Sequence, residues 1–294
     1  MTKASTPSYL LVSHGSRDPR SQAMMKRLAQ LVQQRLSLLA IAQQAYVPSS
    51  QPVFAAQAAT ATQSATHAWQ PSPRAYAATQ SRGLAAQITA APLVETACLE
   101  LGSTALHTQI CQFAERTQAA GKAEMRIVPL FLLAGVHVME DVPTEVEAAR
   151  QQLSDTCQIS LCPHLGSHAG LAHLIAEKAG QTATQASLLV AHGSRRAGSN
   201  KQVEAIAKRL KAAVAYWSNP PSLEDQAIDL MQQGYQRIAI LPYFLFAGSL
   251  TDAIMQRTEE LAERFPKTAF RLMPPLGATR ELAGLVAELG QQRL

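Results

Sequence analysis

The sequence is poor in the residues that mark specialised protein classes. Cysteine is scarce: Cys98, Cys111, Cys157 and Cys162 are the only four, and no two form a C-x-x-C pair. A zinc or iron–sulfur site therefore has little support, and reduced thiols in apolar cores are expected. Aromatic residues make up 5% of the chain, charged residues 16%, and the formal net charge is a mild +5. There is no basic stripe interleaved with aromatics, so no nucleic-acid partner is expected. There is also no run of eighteen apolar residues, so neither a transmembrane helix nor a membrane partner is expected. Met1–Ser8 lacks the basic start, apolar stretch and small-residue cleavage site of a secretory signal, and a cytoplasmic location is the expectation. Hydrophobic residues account for 47% of the chain, enough to build globular cores.

What the sequence does contain is a copy of itself. Tyr9-Leu-Leu-Val-Ser-His14-Gly-Ser-Arg17 returns 178 residues later as Ser187-Leu-Leu-Val-Ala-His192-Gly-Ser-Arg195. Ile127-Val-Pro129-Leu-Phe-Leu-Leu-Ala-Gly135 returns after 113 residues as Ile240-Leu-Pro242-Tyr-Phe-Leu-Phe-Ala-Gly248. Cys162-Pro-His-Leu-Gly166 returns after 111 as Met273-Pro-Pro-Leu-Gly277. The larger first offset places extra residues early in the first copy. Ile41–Pro92 supplies them: it is rich in Ala, Gln, Ser, Thr and Pro, has Arg74 and Arg82 as its only charged residues, and reads as a low-complexity surface insertion. The expected domains are a first half over 1–180, interrupted by 41–92, and a second half over 181–294.

Short apolar runs alternate with helical segments, which predicts a parallel sheet with helices on both faces in each half. The expected fold is α/β: two tandem Rossmann-like or flavodoxin-like domains related by internal duplication. Strands are predicted at Tyr9–Ser13, Leu93–Leu99, Met125–Leu132 and Gln158–Cys162, then at Ser187–Ala191, Arg237–Leu245 and Ala269–Met273. Helices are predicted at Gln22–Leu39 and Asn200–Val214. The latter overlaps a competing strand reading at Ala212–Trp217.

In such sheets ligands gather at the carboxyl ends of strands. His14, Glu100 and His137 each fall at or just past such an end, so three segments aim a ligand at one sheet edge. Two imidazoles and a carboxylate suit a divalent transition metal and can also move protons. Gly15 permits a tight strand-to-helix turn, Ser16 is placed to cap the helix, and Arg17 and Arg20 add positive charge. Arg195, Arg196 and Lys201 do likewise in the second half, which fits an acidic ligand across the mouth of the sheet. Ala134 and Gly135 leave room for a bulky flat ligand. Glu140 and Asp141 read as the acidic start of the next helix.

Three features together, the strand ending in His14-Gly-Ser-Arg17, then Cys98-Leu-Glu100-Leu101, then Pro129-Leu-Phe-Leu-Leu-Ala-Gly-Val-His137 with Asp141-Val-Pro143, resemble the sirohydrochlorin chelatases. These are class II chelatases, and the long tandem form is the nearest in pattern. The resemblance spans the chain apart from Ile41–Pro92. It implies a class II chelatase fold and a lyase that inserts Fe²⁺, for sirohaem, or Co²⁺, for cobalamin, into sirohydrochlorin. His14, Glu100 and His137 would hold the metal and carry the catalysis. Ser16, Arg17, Gly135 and Arg195 would contact the substrate, a tetrapyrrole with eight carboxylates. The metal is a substrate, no permanent cofactor is implied, and with no cysteine motif at the C-terminal end no iron–sulfur cluster is expected. A monomer suffices, and a homodimer is compatible.

The second half departs from the pattern. His192 is retained, Leu250 stands in the place of His137, and Trp217 is the expected counterpart of Glu100. This half is expected to be a degenerate copy that walls the cleft. Two rival readings remain. A histidine phosphatase would need Arg directly before the first-strand His, where this chain has Ser13 and Ala191. A non-catalytic tetrapyrrole or metal carrier would share the same residues.

Overall fold

A computed structural model describes residues 6–45, 91–153, 157–180, 183–194, 196 and 198–292. Of the Ile41–Pro92 insertion, residues 46–90 lie outside the described residues.

The first half begins with β1 (Ser8–Ser13), a strand buried along nearly its whole length. Strands covered on both faces of a parallel sheet carry such unbroken apolar runs. It leads into α1 (Pro19–Ala45), longer at both ends than the apolar spacing predicts. Met25, Leu28, Ala29, Val32 and Leu36 recur every three or four residues and bury one stripe of that helix. There follow β2 (Val94–Cys98), α2 (Leu106–Ala119) and β3 (Glu124–Pro129). A single π turn (His137–Asp141) runs directly into α3 (Val142–Leu153). β4 (Gln158–Leu161) and α4 (Gly170–Gly180) close the half.

The second half repeats the order with β5 (Ala186–Ala191), α5 (Lys201–Leu210), β6 (Ala213–Tyr216), α6 (Leu223–Gln232), β7 (Arg237–Pro242), α7 (Ser249–Arg264), β8 (Ala269–Leu272) and α8 (Arg280–Gln291). Each half has one four-stranded parallel sheet, ordered β2-β1-β3-β4 and β6-β5-β7-β8. The strand order reverses between β1 and β3, so the crevice at their carboxyl ends is the natural ligand position.

Two predicted elements end early. The runs Met125–Leu132 and Arg237–Leu245 stop as strands at Pro129 and Pro242. The last ladder contacts are Leu130 N–H to Val12 O (2.7 Å) and Tyr243 N–H to Val190 O (2.7 Å). Beyond these the chain bonds loops instead of strands: Phe131 O accepts from Gly166 N–H, and Phe244 O and Leu245 O accept from Leu276 and Gly277 N–H. The predicted helix Asn200–Val214 stops at Leu210, because Lys211 adopts the left-handed conformation (φ 52°) and Ala212 N–H caps Ala207 O. The residues after it form the short strand β6.

The two sheets share a core. Alternate residues of β1 and β5 face outward, where Leu10, Val12 and Phe113 pack in one half and Leu188, Val190 and Ile254 in the other. The opposite faces, with Tyr9, Leu11, Leu189 and Ala191, join one continuous cluster between the sheets. The last helix of each half crosses over: α4 packs on β7 and α5, and α8 packs on α1 and β3. Gly290 of α8 lies so close to β1 that an added Cβ would sit 2.8 Å from the Tyr9 ring. Arg126 of β3 donates to Gly290 O at 2.7 Å, and Lys178 of α4 donates to Pro275 O at 2.9 Å.

Candidate functional site: a His-Glu-His cluster at the open sheet edge

The first-half β1–β2 ladder continues past the strands. Leu99 N–H bonds Ser13 O and Glu100 N–H bonds His14 O, each at 2.9 Å. This fixes His14 beside Glu100. The turn requires Gly15, whose φ is +103° and whose added Cβ would sit 2.1 Å from Glu100 O. His137 arrives from the far side of β1, at the head of the π turn after β3. The structure thus brings all three predicted residues together. His14 Nε2 is 3.6 Å from Glu100 Oε2, and the His14 and His137 rings meet edge-on with centroids 4.7 Å apart. One ligand atom from each residue lies within 4.8 Å of the others. An ion held at usual nitrogen distances needs donors no more than about 4.2 Å apart. The His14 and Glu100 side chains are about half exposed, at 49% and 51%, so small rotations close that gap. The cluster can hold a divalent metal or pass protons. It is the one such group of three or more potential ligands among the described residues.

The remaining predicted residues fare differently. Gly135 has open space where a side chain would stand, and its carbonyl accepts from Val138 and Met139. Arg17 is exposed beside His14. Ser16 does not cap α1: its hydroxyl accepts from Asp18 N–H at 3.1 Å, and Asp18 itself caps the helix, accepting from Arg20 N–H at 2.8 Å. A helix that starts at Pro19 puts the cap two residues beyond Ser16. Arg20 grips Asp18 and also reaches Asp252 at the start of α7 in the other half. Its hydrogen bonds hold the Asp18 carboxyl below the usual carboxylate range. Arg196 likewise crosses to Glu140 at 2.6 Å. Arg195 lies outside the described residues.

Glu140 and Asp141 are more than an acidic helix start. Glu140 joins the halves, and Asp141 Oδ2 is 2.7 Å from His137 Nδ1. The signal for this contact was the His137-x-x-x-Asp141 spacing, which places both residues on one helix face. The four cysteines are free, and burial pushes the Cys162 thiol up to about 11. None of them joins the cluster.

The second half supplies the contrast. Trp217 N–H bonds Ala191 O and Ser218 N–H bonds His192 O, so the counterpart of Glu100 is Ser218, one residue beyond the expected Trp217. The sequence register was off by one because no landmark lies between the repeated His and the loop after β6. Leu250 does stand in the place of His137, on the regular helix α7. His192 is exposed.

Fold and site define a tandem, parallel-sheet α/β protein with a two-histidine, one-carboxylate cluster at its open edge. A profile described as CbiX matches residues 71–182 and again residues 186–292. The sirohydrochlorin ferrochelatase of Priestia megaterium is 24% identical over 184 residues, covering 58% of this chain and 67% of that protein. Among solved structures, SirB from Bacillus subtilis with Fe³⁺ aligns with a TM-score of 0.63 at 18% identity, covering 96% and 93% of the two chains. The sirohydrochlorin chelatase SirB from Bacillus subtilis subspecies spizizenii, in complex with cobalt, aligns with a TM-score of 0.62 at 18% identity, covering 97% and 94%. The chain belongs to the CbiX family of sirohydrochlorin chelatases, in its tandem form.

Proposed function

We propose that this protein inserts Fe²⁺ or Co²⁺ into sirohydrochlorin, releasing two protons for each metal taken up. The observation that carries this reading is the convergence of His14, Glu100 and His137 at the sheet edge. The metal and the macrocycle are both substrates. His14 and His137 bind the incoming ion through neutral imidazole nitrogens, and Glu100 adds an oxygen ligand. As the ion enters the ring, the two pyrrole nitrogens lose their protons to Glu100 or to a histidine that has released the metal. A site that holds the macrocycle bent toward the metallated geometry lowers the barrier by binding the transition state better than the flat ground state. Gly135 leaves room for the ring. Ser16, Arg17 and Arg195 meet its peripheral carboxylates, guanidinium groups being suited to paired contacts with them. The second half closes the cleft. We place the reaction in the cytoplasm, with no permanent cofactor, no iron–sulfur cluster, and one chain sufficient.

The relatives' names support the substrate, and the SirB structures with iron and cobalt support the metals. Anaerobic absorbance spectroscopy of excess sirohydrochlorin with Fe²⁺ or Co²⁺ tests the proposal. Metallated product should accumulate over many equivalents of protein. Product limited to one equivalent would make the protein a tetrapyrrole or metal carrier instead.

A further inference from the structure

We infer that Asp141 is a positioning residue that locks His137 in the tautomer needed to bind metal. The inference rests on reading the cluster as a metal site. Asp141 Oδ2 lies 2.7 Å from His137 Nδ1. An ionised carboxylate has no proton to give, so the imidazole donates from Nδ1. A neutral imidazole with its proton on Nδ1 presents a free lone pair on Nε2, the nitrogen left for the ion. Without a partner at Nδ1, the proton can move to Nε2 and block it. A carboxylate behind a metal-binding imidazole also fixes the ring plane and strengthens the nitrogen as a donor.

The backbone at this contact is also unusual. His137–Asp141 is a π turn, closed by Val142 N–H bonding His137 O five residues back. Such turns are rare within helices and concentrate at functional sites. The equivalent stretch of the second half, at the start of α7, is ordinary α-helix. There Leu250 replaces His137, and Ile254, fully buried in the outer core, replaces Asp141. Histidine, carboxylate and π turn are therefore present together in one half and absent together in the other. Asp141 is 43% exposed, so replacing it should leave the fold intact.

Two readouts on the metal-free protein and Co²⁺ alone test this without any tetrapyrrole. Nitrogen-15 NMR, with His137→Ala to assign the ring signals, should show the proton on Nδ1 in the wild type and its loss in Asp141→Ala. Titration with Co²⁺ should show affinity weakened by about 10–100-fold in Asp141→Ala. Asp141→Asn, whose carbonyl can accept the same bond, should restore most of the affinity and the tautomer. Unchanged tautomer and Kd in Asp141→Ala, or an Asn variant as impaired as the Ala variant, would overturn the assignment. A wild type that passes these tests yet fails to metallate sirohydrochlorin would sink the proposed function and leave the role of Asp141 standing.

Discussion

The two halves share their architecture and differ in their chemistry. Both carry the strand–His-Gly-Ser–helix turn, and both glycines have positive φ, +103° at Gly15 and +82° at Gly193. In both, an added Cβ would strike the chain just past the neighbouring strand: Glu100 O in one, Asn219 Oδ1 in the other, each at 2.1 Å. The turn is thus a requirement of the fold, and its recurrence says nothing about activity. What distinguishes the halves is what only one of them has: Glu100 where the other has Ser218, His137 where it has Leu250, and a π turn where it has α-helix. A duplicated motif marks a reactive centre only when residues from other strands complete it.

The halves are also not independent. Removing α8 by ending the chain at Ala278 should prevent the first half from folding, although every strand of that half remains. Leu282, Val286 and Leu289 are each at most 1% exposed, against the first sheet and the shared core. Each contributes about 1.5–3 kcal/mol, and their sum rivals the whole stability of an ordinary domain. Circular dichroism and thermal unfolding check this. A cooperative transition near the full-length Tm would show that the halves stand alone.

Repairing one residue should not convert the second half. In a His137→Ala background, metallation should fall by about a hundredfold or more, and adding Leu250→His should not recover it. Ser218 supplies no carboxylate, and Ile254 supplies no partner for the new imidazole. Recovery of turnover in the double variant would mean that His192 with one added histidine is enough.

The two glycines offer a smaller, sharper contrast. Gly15→Ala and Gly193→Ala should each lose about 1–2 kcal/mol to the left-handed backbone. Gly15→Ala should lose more, because its new methyl meets a backbone carbonyl at 2.1 Å, whereas at Gly193 Asn219 can swing aside and leaves the Tyr216 Cβ at 2.9 Å as the fixed contact. Gly15→Ala should also lower metallation per folded molecule, since Glu100 must shift. Gly193→Ala should not. Denaturant melts paired with rate measurements separate the two effects.

The smallest effect concerns His164, which stands where the second half has Pro275. Burial holds its pKa below the ordinary histidine value, and its Nδ1 is 3.0 Å from Phe131 O. The unfolded chain therefore binds a proton more readily than the folded one. Stability is full above the ordinary histidine pKa and declines as pH falls from there toward the lowered folded value. His164→Asn should flatten that part of the stability–pH curve. An unchanged slope would assign it to other groups.

Much of this was legible in the sequence because duplication supplied internal landmarks. β1, β3, β5 and β7 stood out as apolar runs flanked by repeated motifs. β6 did not, because four short residues after a helix look like more helix until Lys211 ends it. His14 and Glu100 were legible because each closely follows an apolar run, and His137 because it follows the repeated Ala-Gly landmark, although the end of β3 itself was placed three residues too late. The exchange of α4 and α8 was not, since an amphipathic helix records that it buries a face without recording which sheet it covers. The i,i+4 spacing of His137 and Asp141 was legible as a shared helix face, whereas the π turn that carries them is not announced by residue spacing.

On the proposed function, one half does the chemistry and the other provides the wall. The most direct test of this division is anaerobic Co²⁺ insertion into sirohydrochlorin, compared for wild type, His14→Ala, His137→Ala and His192→Ala at matched folded concentration. The first two substitutions should each lower turnover by about a hundredfold or more, and His192→Ala should stay close to wild type. Loss of turnover in His192→Ala equal to that in His14→Ala would contradict it, and would place the reaction between two working halves.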